Sequence, residues 1–269
     1  MPAKQSYARP VALITGASSG IGEALAHCFA DAGHDLVLVA RSADKLKALA
    51  STLKQSHDIH VWVEPTDLAA SHAAAKLFAS LKRKQCQVDV LVNCAGVLEQ
   101  NAFSRMTPAQ HQQIIDLNIS GLTAMLAHFL PPMLTRGAGR ILNVASIAAF
   151  QPIPLLATYA ASKAYVLSLS ESLAEETKDS GVTVTALCPG ITATHMLSAA
   201  KDANAQLSQI PGFLIAEVAD VARQGFEACM KGDAICVPGV FNQAAMIASR
   251  STPKWLVRRI GGLFARRAL

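Results

Sequence analysis

The 269-residue chain is poor in aromatic residues, at 5%, and in charged ones, at 16%. With 51% hydrophobic residues, this composition excludes a disordered chain and supplies a sizeable core. Its six cysteines are scattered, with no Cys-x-x-Cys pair and no metal-ligand spacing. No metal is therefore expected, and the thiols should stay reduced in the cytoplasm. Residues 1–10 hold no apolar segment of the kind a signal peptide needs. The uncharged run at 141–162 is broken by Gln151, Pro152 and Pro154, and reads as strand, loop and helix; no transmembrane helix is expected. Acidic residues are absent after Asp233, whereas Arg250, Lys254, Arg258, Arg259, Arg266 and Arg267 follow it. The formal charge of +5 thus resides in the tail, and the near-neutral body makes no case for nucleic acid.

What is present is an alternation of short apolar runs and longer helical stretches. Strands are expected at 11–14, 36–40, 61–63, 88–92, 140–144 and 182–187, rich in β-branched residues as buried parallel strands are. Helices are expected near 21–32, 44–56, 69–84, 108–136 and 158–180. Such alternation predicts an α/β fold with a doubly wound parallel sheet. No internal repeat or linker marks a second domain. The expected organisation is a tail at 1–9, one domain at 10–240 with a variable substrate loop at 192–216, and an extension at 241–269 packing on the domain or a partner.

Two local patterns carry chemistry. Gly16, Gly20 and Gly22 lie between an expected strand and helix, where backbone N–H groups and the helix dipole favour a phosphate. Tyr159 and Lys163, four residues apart, share one helix face, with Ser146 upstream. A free tyrosine, with a pKa of roughly 10, is a poor base at neutral pH, and a nearby ammonium pulls that value down. A serine hydroxyl beside them can hold a carbonyl or alcohol oxygen.

Taken together, Thr-Gly-Ala-Ser-Ser-Gly-Ile-Gly at 15–22, Asn93-Cys94-Ala95-Gly96, Asn118, Ser146, Tyr159 with Lys163, and Cys188-Pro189-Gly190 resemble the short-chain dehydrogenase/reductase family. The likeness spans about residues 10–195 and implies a single Rossmann-type domain. It implies a catalytic set of Asn118, Ser146, Tyr159 and Lys163, with Tyr159 as acid/base and Asn118 holding a water of the proton relay. It also implies a dinucleotide site built from Gly16, Ser18, Ser19, Gly20, Ile21 and Gly22, from Asp67 and Leu68, from Asn93, Ala95 and Gly96, and from Tyr159 and Lys163. Pro189, Gly190, Thr192 and Thr194 would meet its nicotinamide end. Cys94 reads as a small buried residue, not an activated thiol.

The second strand ends in Arg41 and Ser42, where enzymes using NAD place an acid; a guanidinium fork there suits a 2′-phosphate, so NADP(H) is expected over NAD(H). The expected activity interconverts a ketone or aldehyde and an alcohol. The alternatives are a 3-oxoacyl thioester reductase and, from another class, an NADP(H) sensor without turnover. Met196, Leu197, Ile210, Phe213 and Leu214 offer an apolar lid for a hydrophobic substrate, with packing the equal alternative, and His195 reads as a solvated loop residue. The family resemblance implies a homodimer or homotetramer through the helices at 108–136 and 158–180. The basic and apolar tail fits packing or subunit contact better than a membrane surface, since Gly261-Gly262 interrupts a helix.

Overall fold

The computed structural model describes residues 9–193, 215–240, 242–244 and 246. Among these, β1 (Val11–Thr15), β2 (Asp35–Ala40), β3 (Val61–Pro65), β4 (Val90–Asn93), β5 (Gly139–Val144), β6 (Val182–Leu187) and β7 (Ile235–Cys236) form one sheet in the order β3-β2-β1-β4-β5-β6-β7. Every pairing is parallel. This is a Rossmann-like doubly wound sheet. Strand order reverses between β1 and β4, so the connections leaving their carboxyl ends part and open a crevice there.

Alternate residues of each central strand feed opposite faces. Leu13, Val37, Leu91 and Ile141 join one apolar layer, together with Leu77, Phe129 and Val166 from α3 (Ala73–Arg83), α5 (Leu122–Arg136) and α6 (Ala157–Glu176). Ile14, Leu38, Val92 and Leu142 join the other, with Phe29 from α1 (Gly20–Asp31), Leu46 from α2 (Ala43–Ser56) and Val221 from α7 (Val218–Lys231). Burial on both faces is why these strands read as continuous apolar runs rather than alternating ones.

Several boundaries differ from those expected. The helix expected from 69 begins at Ala73, because residues 69–72 form turns and His72 stands at φ 61. The long helix at 108–136 is divided: α4 (Pro108–Ile115) runs into one wide π turn at Asp116–Gly121 before α5. Pro108–Arg136 is apolar and long enough to cross a membrane by composition, yet Leu122, Met125, Leu126, Phe129 and Met133 enter the core. Helix α7 and strand β7 were not expected. The former buries Val221, Ala222, Gly225, Ala228 and Cys229 along one stripe, a readable helical pattern; the latter, two residues long, is too short for any periodicity.

Candidate active site

A cleft of about 900 Å³ lies over the carboxyl ends of the central strands. Its floor at β1 is the glycine turn. Gly16 has φ +69, a conformation L side chains rarely adopt, and a Cβ there would lie 2.9 Å from the Ala95 backbone. A Cβ on Gly22 would overlap the Gly16 carbonyl oxygen, so turn and helix meet at backbone distance. Ser19 is the N-cap of α1 but makes no side-chain capping bond. Its hydroxyl and the first-turn N–H groups are thus available to a ligand. Ser18, Gly20 and Ile21 also line the cleft. This close-packed glycine turn, with its uncapped helix start facing the cleft, fits the pyrophosphate of a dinucleotide.

At one end of the cleft stand Arg41 and Ser42, which follow β2, and Asp67 with Leu68, which follow β3. Ser42 caps α2 without using its side chain. Asp67 is exposed and accepts a hydrogen bond from the Ala69 N–H through Oδ1 (3.1 Å). Lys45, which sequence reasoning missed, joins Arg41 here. It lies in the first turn of α2, so its place on the same cleft as Arg41 follows from where that helix starts.

At the other end Ser146, Tyr159 and Lys163 line the cleft together. Ser146 follows β5 and caps the 3-10 turn Ile147–Phe150, its Oγ accepting from the Ala148 N–H (3.1 Å). Tyr159, 9% exposed, sits in the first turn of α6 with Lys163 one turn on. Burial pushes the Tyr159 phenol up to about 12, opposed by a hydrogen bond with Ser146. Burial also pushes the Lys163 ammonium down to about 8. Burial is the largest influence on the phenol here, and it opposes the depression that a neighbouring ammonium brings. Lys163 donates to the Val144 carbonyl oxygen (2.8 Å), and its Nζ lies 5.7 Å from the Tyr159 ring centroid. Cys94 also lines the cleft, and burial raises its thiol to about 11, which leaves it inert as a nucleophile.

Gly96 marks where the elements converge: a Cβ there would meet Asn118 Oδ1 at 3.4 Å and Lys163 Nζ at 3.5 Å. Asn118 itself is 1% exposed and lies behind the cleft wall. Its amide is spent on structure: Oδ1 accepts from the Val97 N–H (2.9 Å), and Nδ2 donates to the Val97 carbonyl oxygen (3.0 Å) and to Ser162 Oγ (3.1 Å). Ser162 in turn donates to the Tyr159 carbonyl oxygen (2.7 Å), so Asn118 clamps the Val97 backbone to the helix that carries Tyr159.

Asn93 departs from expectation. It pairs with Asn143 across β4 and β5, and its Nδ2 donates to Asn143 Oδ1 (2.9 Å) beneath the floor instead of facing the cleft. The side chain that positions the following loop is Thr15, the first residue of the motif at 15–22, to which sequence reasoning gave no role. Its Oγ1 accepts from the N–H groups of Cys94 (2.9 Å) and Ala95 (3.0 Å). Ala95, Gly96, Pro189, Gly190 and Thr192 all line the cleft. Thr192 Oγ1 donates to the Gly190 carbonyl oxygen (3.1 Å). Asn242 packs over Gly190, where a Cβ would lie 2.7 Å from the amide carbon, so the segment after β7 braces this end of the site. Thr194, His195 and the expected lid residues lie outside the described residues.

Comparison with known proteins agrees with this architecture. The family model for the short chain dehydrogenases matches residues 10–205. An uncharacterised oxidoreductase of Staphylococcus saprophyticus is 35% identical over 186 residues, 69% of this chain and 80% of its own. A short-chain dehydrogenase from Sphingobium yanoikuyae, solved in complex with NADPH, is 32% identical and superposes with a TM-score of 0.80 over 90% of this chain and 93% of that one. The bulky-bulky ketone specific alcohol dehydrogenase from Comamonas testosteroni is 27% identical, with a TM-score of 0.76 over 91% and 95% of the two chains.

Proposed function

This chain belongs to the short-chain dehydrogenase family of oxidoreductases, and on that premise we propose that it interconverts a carbonyl and an alcohol with NADP(H), Tyr159 serving as acid/base. The observation that carries this reading is the convergence of Ser146, Tyr159 and Lys163 at one end of a cleft whose other end presents Arg41 and Lys45. The glycine cradle would hold the pyrophosphate. Arg41, Ser42 and Lys45 would hold a 2′-phosphate, two cations and a hydroxyl being a poor match for a bare ribose hydroxyl. The nicotinamide of NADPH, when bound, supplies the hydride.

The chain's own residues deal with the substrate oxygen. Ser146 Oγ holds and orients it. Tyr159, protonated at neutral pH, donates its proton to the oxygen as negative charge builds there. Lys163 brings positive charge to the same end and steadies the phenolate left behind. The NADPH complex of the Sphingobium yanoikuyae relative supports the choice of cofactor type.

Exchange of Tyr159 for phenylalanine tests the assignment. We expect kcat for carbonyl reduction to fall by about 10²- to 10⁴-fold, with NADPH binding largely intact. Retention of about a tenth of wild-type kcat would refute the role of Tyr159 as proton donor.

A further inference from the structure

Charge along the cleft is unevenly placed. Its ionisable lining side chains are Arg41, Lys45, Asp67, Cys94, Tyr159 and Lys163 among the described residues. The first three lie at the ends of β2 and β3 and at the start of α2. Around Tyr159 the wall is apolar. Leu98 and Ile153, from separate loops, pack against the cluster formed by Ala148, Tyr159 and Ala160. Ile147 and Leu156 extend that surface, and Gln100 is the polar side chain in the Leu98 loop that faces the cleft.

The wall is also held in shape. Residues 153–156 form a tight turn in which the Leu156 N–H donates to the Ile153 carbonyl oxygen (3.2 Å). Leu155 occupies the third position at φ 67, a conformation that favours glycine. A branched residue there persists only because its surroundings over-determine it. The Asn101 N–H donates to the Leu155 carbonyl oxygen (3.0 Å), which ties the loop carrying Leu98 to the loop carrying Ile153. The clamp of Asn118 on Val97 fixes the other end of the first loop to α6. Both walls therefore keep their places relative to the Tyr159 hydroxyl.

Building on the carbonyl/alcohol reading above, we propose that the substrate is an uncharged ketone with apolar groups on both sides of its carbonyl, and that Leu98 and Ile153 determine this preference. A carbonyl oxygen held at Ser146 and Tyr159 sets its two substituents against a surface that, among the described residues, offers no free counter-ion. The ammonium nearest to it, Lys163, is buried and engaged by the Val144 carbonyl oxygen. A carboxylate beside the reacting carbon loses its water there and gains no partner. A ketose loses hydrogen bonds to water, against which the Leu98 and Ile153 walls offer only Gln100 among the described residues. An aldehyde leaves one side of the surface without contact.

The test compares substrates that differ in one property, with NADPH as reductant. Methyl benzoylformate and benzoylformate share a skeleton and differ in charge; we expect kcat/KM for the ester to exceed that for the acid at least about 100-fold. Along a series of aryl alkyl ketones, kcat/KM should rise roughly threefold or more per methylene until the pocket is filled. Leu98→Ala and Ile153→Ala should each lower kcat/KM for the larger ketones about tenfold while NADPH affinity stays unchanged. Equal or better turnover of the free acid or of a ketose would overturn the proposal. Calorimetric binding of ester and acid to the Tyr159→Phe protein with NADPH reads the wall without turnover. Tighter ester binding there upholds the proposal even if the wild type reduces neither compound, in which case only the carbonyl-reductase reading falls. Equal or tighter binding of the acid overturns it.

Discussion

Replacing Gly22 by alanine sets two effects against each other, and the packing of the glycine turn decides which observable each one governs. Within α1 the substitution removes the helix penalty of glycine, a gain of about 1 kcal/mol. The new methyl group, however, overlaps the Gly16 carbonyl oxygen and comes within 2.8 Å of the carbonyl carbon. Gly16 has no room to retreat, because its other side already lies against the Ala95 backbone, where even a Cβ would come to 2.9 Å. Overpacking of this kind costs about 1–3 kcal/mol, so the net loss of stability is about 0–2 kcal/mol. Binding suffers more. The part that yields is the turn whose N–H groups face the cleft, and each hydrogen bond to a charged group is worth about 1.5–3 kcal/mol. Loss of one such bond raises the dissociation constant for NADPH by about 10- to 100-fold. Fluorescence titration with NADPH, beside urea unfolding of the same protein, measures both quantities. A Gly22→Ala protein that folds normally and binds NADPH within about twofold of wild type would refute the argument that this close approach shapes the phosphate cradle.

Two further outcomes follow from the charges and from a buried ring. Arg41→Asp should lower the ratio of kcat/KM for NADPH over NADH by at least about tenfold, since it removes a fork for the 2′-phosphate and adds repulsion; an unchanged ratio would show that Arg41 does not touch that group. His34 is 5% exposed, its Nδ1 has no hydrogen-bond partner, and burial lowers its pKa below the ordinary 6.5. The folded protein therefore takes up its proton at lower pH than the unfolded chain does. Stability from this residue is complete above pH 6.5 and is lost as pH falls from there towards the depressed folded value. His34→Leu should flatten the wild-type fall in urea midpoint between about pH 8 and pH 5; an equal slope in both proteins would contradict it.

Much of the site was legible because its rules are local. Gly16, Gly20 and Gly22 sit between a strand and a helix, and Tyr159 and Lys163 lie one helical turn apart; both arrangements follow from spacing alone. Arg41 and Ser42 were legible because they follow a buried strand directly. Asn93 was misplaced because its neighbour in space, Asn143, lies fifty residues away on the adjacent strand. Lys45 was missed because its charge matters only once the start of α2 brings it to Arg41. The role of Thr15 was not legible because its partners are the N–H groups of Cys94 and Ala95, reachable only after β1 and β4 pair.

The sequence by itself determined the alternation of strands and helices, hence the doubly wound sheet, and the residue types at the two ends of the cleft. Apolar periodicity and an i, i+4 spacing act within a few residues, so they survive in a linear string. The tertiary structure decided the state and surroundings of those residues. Tyr159 is a buried phenol with its pKa pushed up, Asn118 is a clamp on Val97, and Leu98 and Ile153 pack on the Tyr159 cluster from loops more than fifty residues apart. Desolvation depends on everything packed around a group, and contacts between distant segments exist only after the sheet has formed, so neither leaves a local trace in the chain.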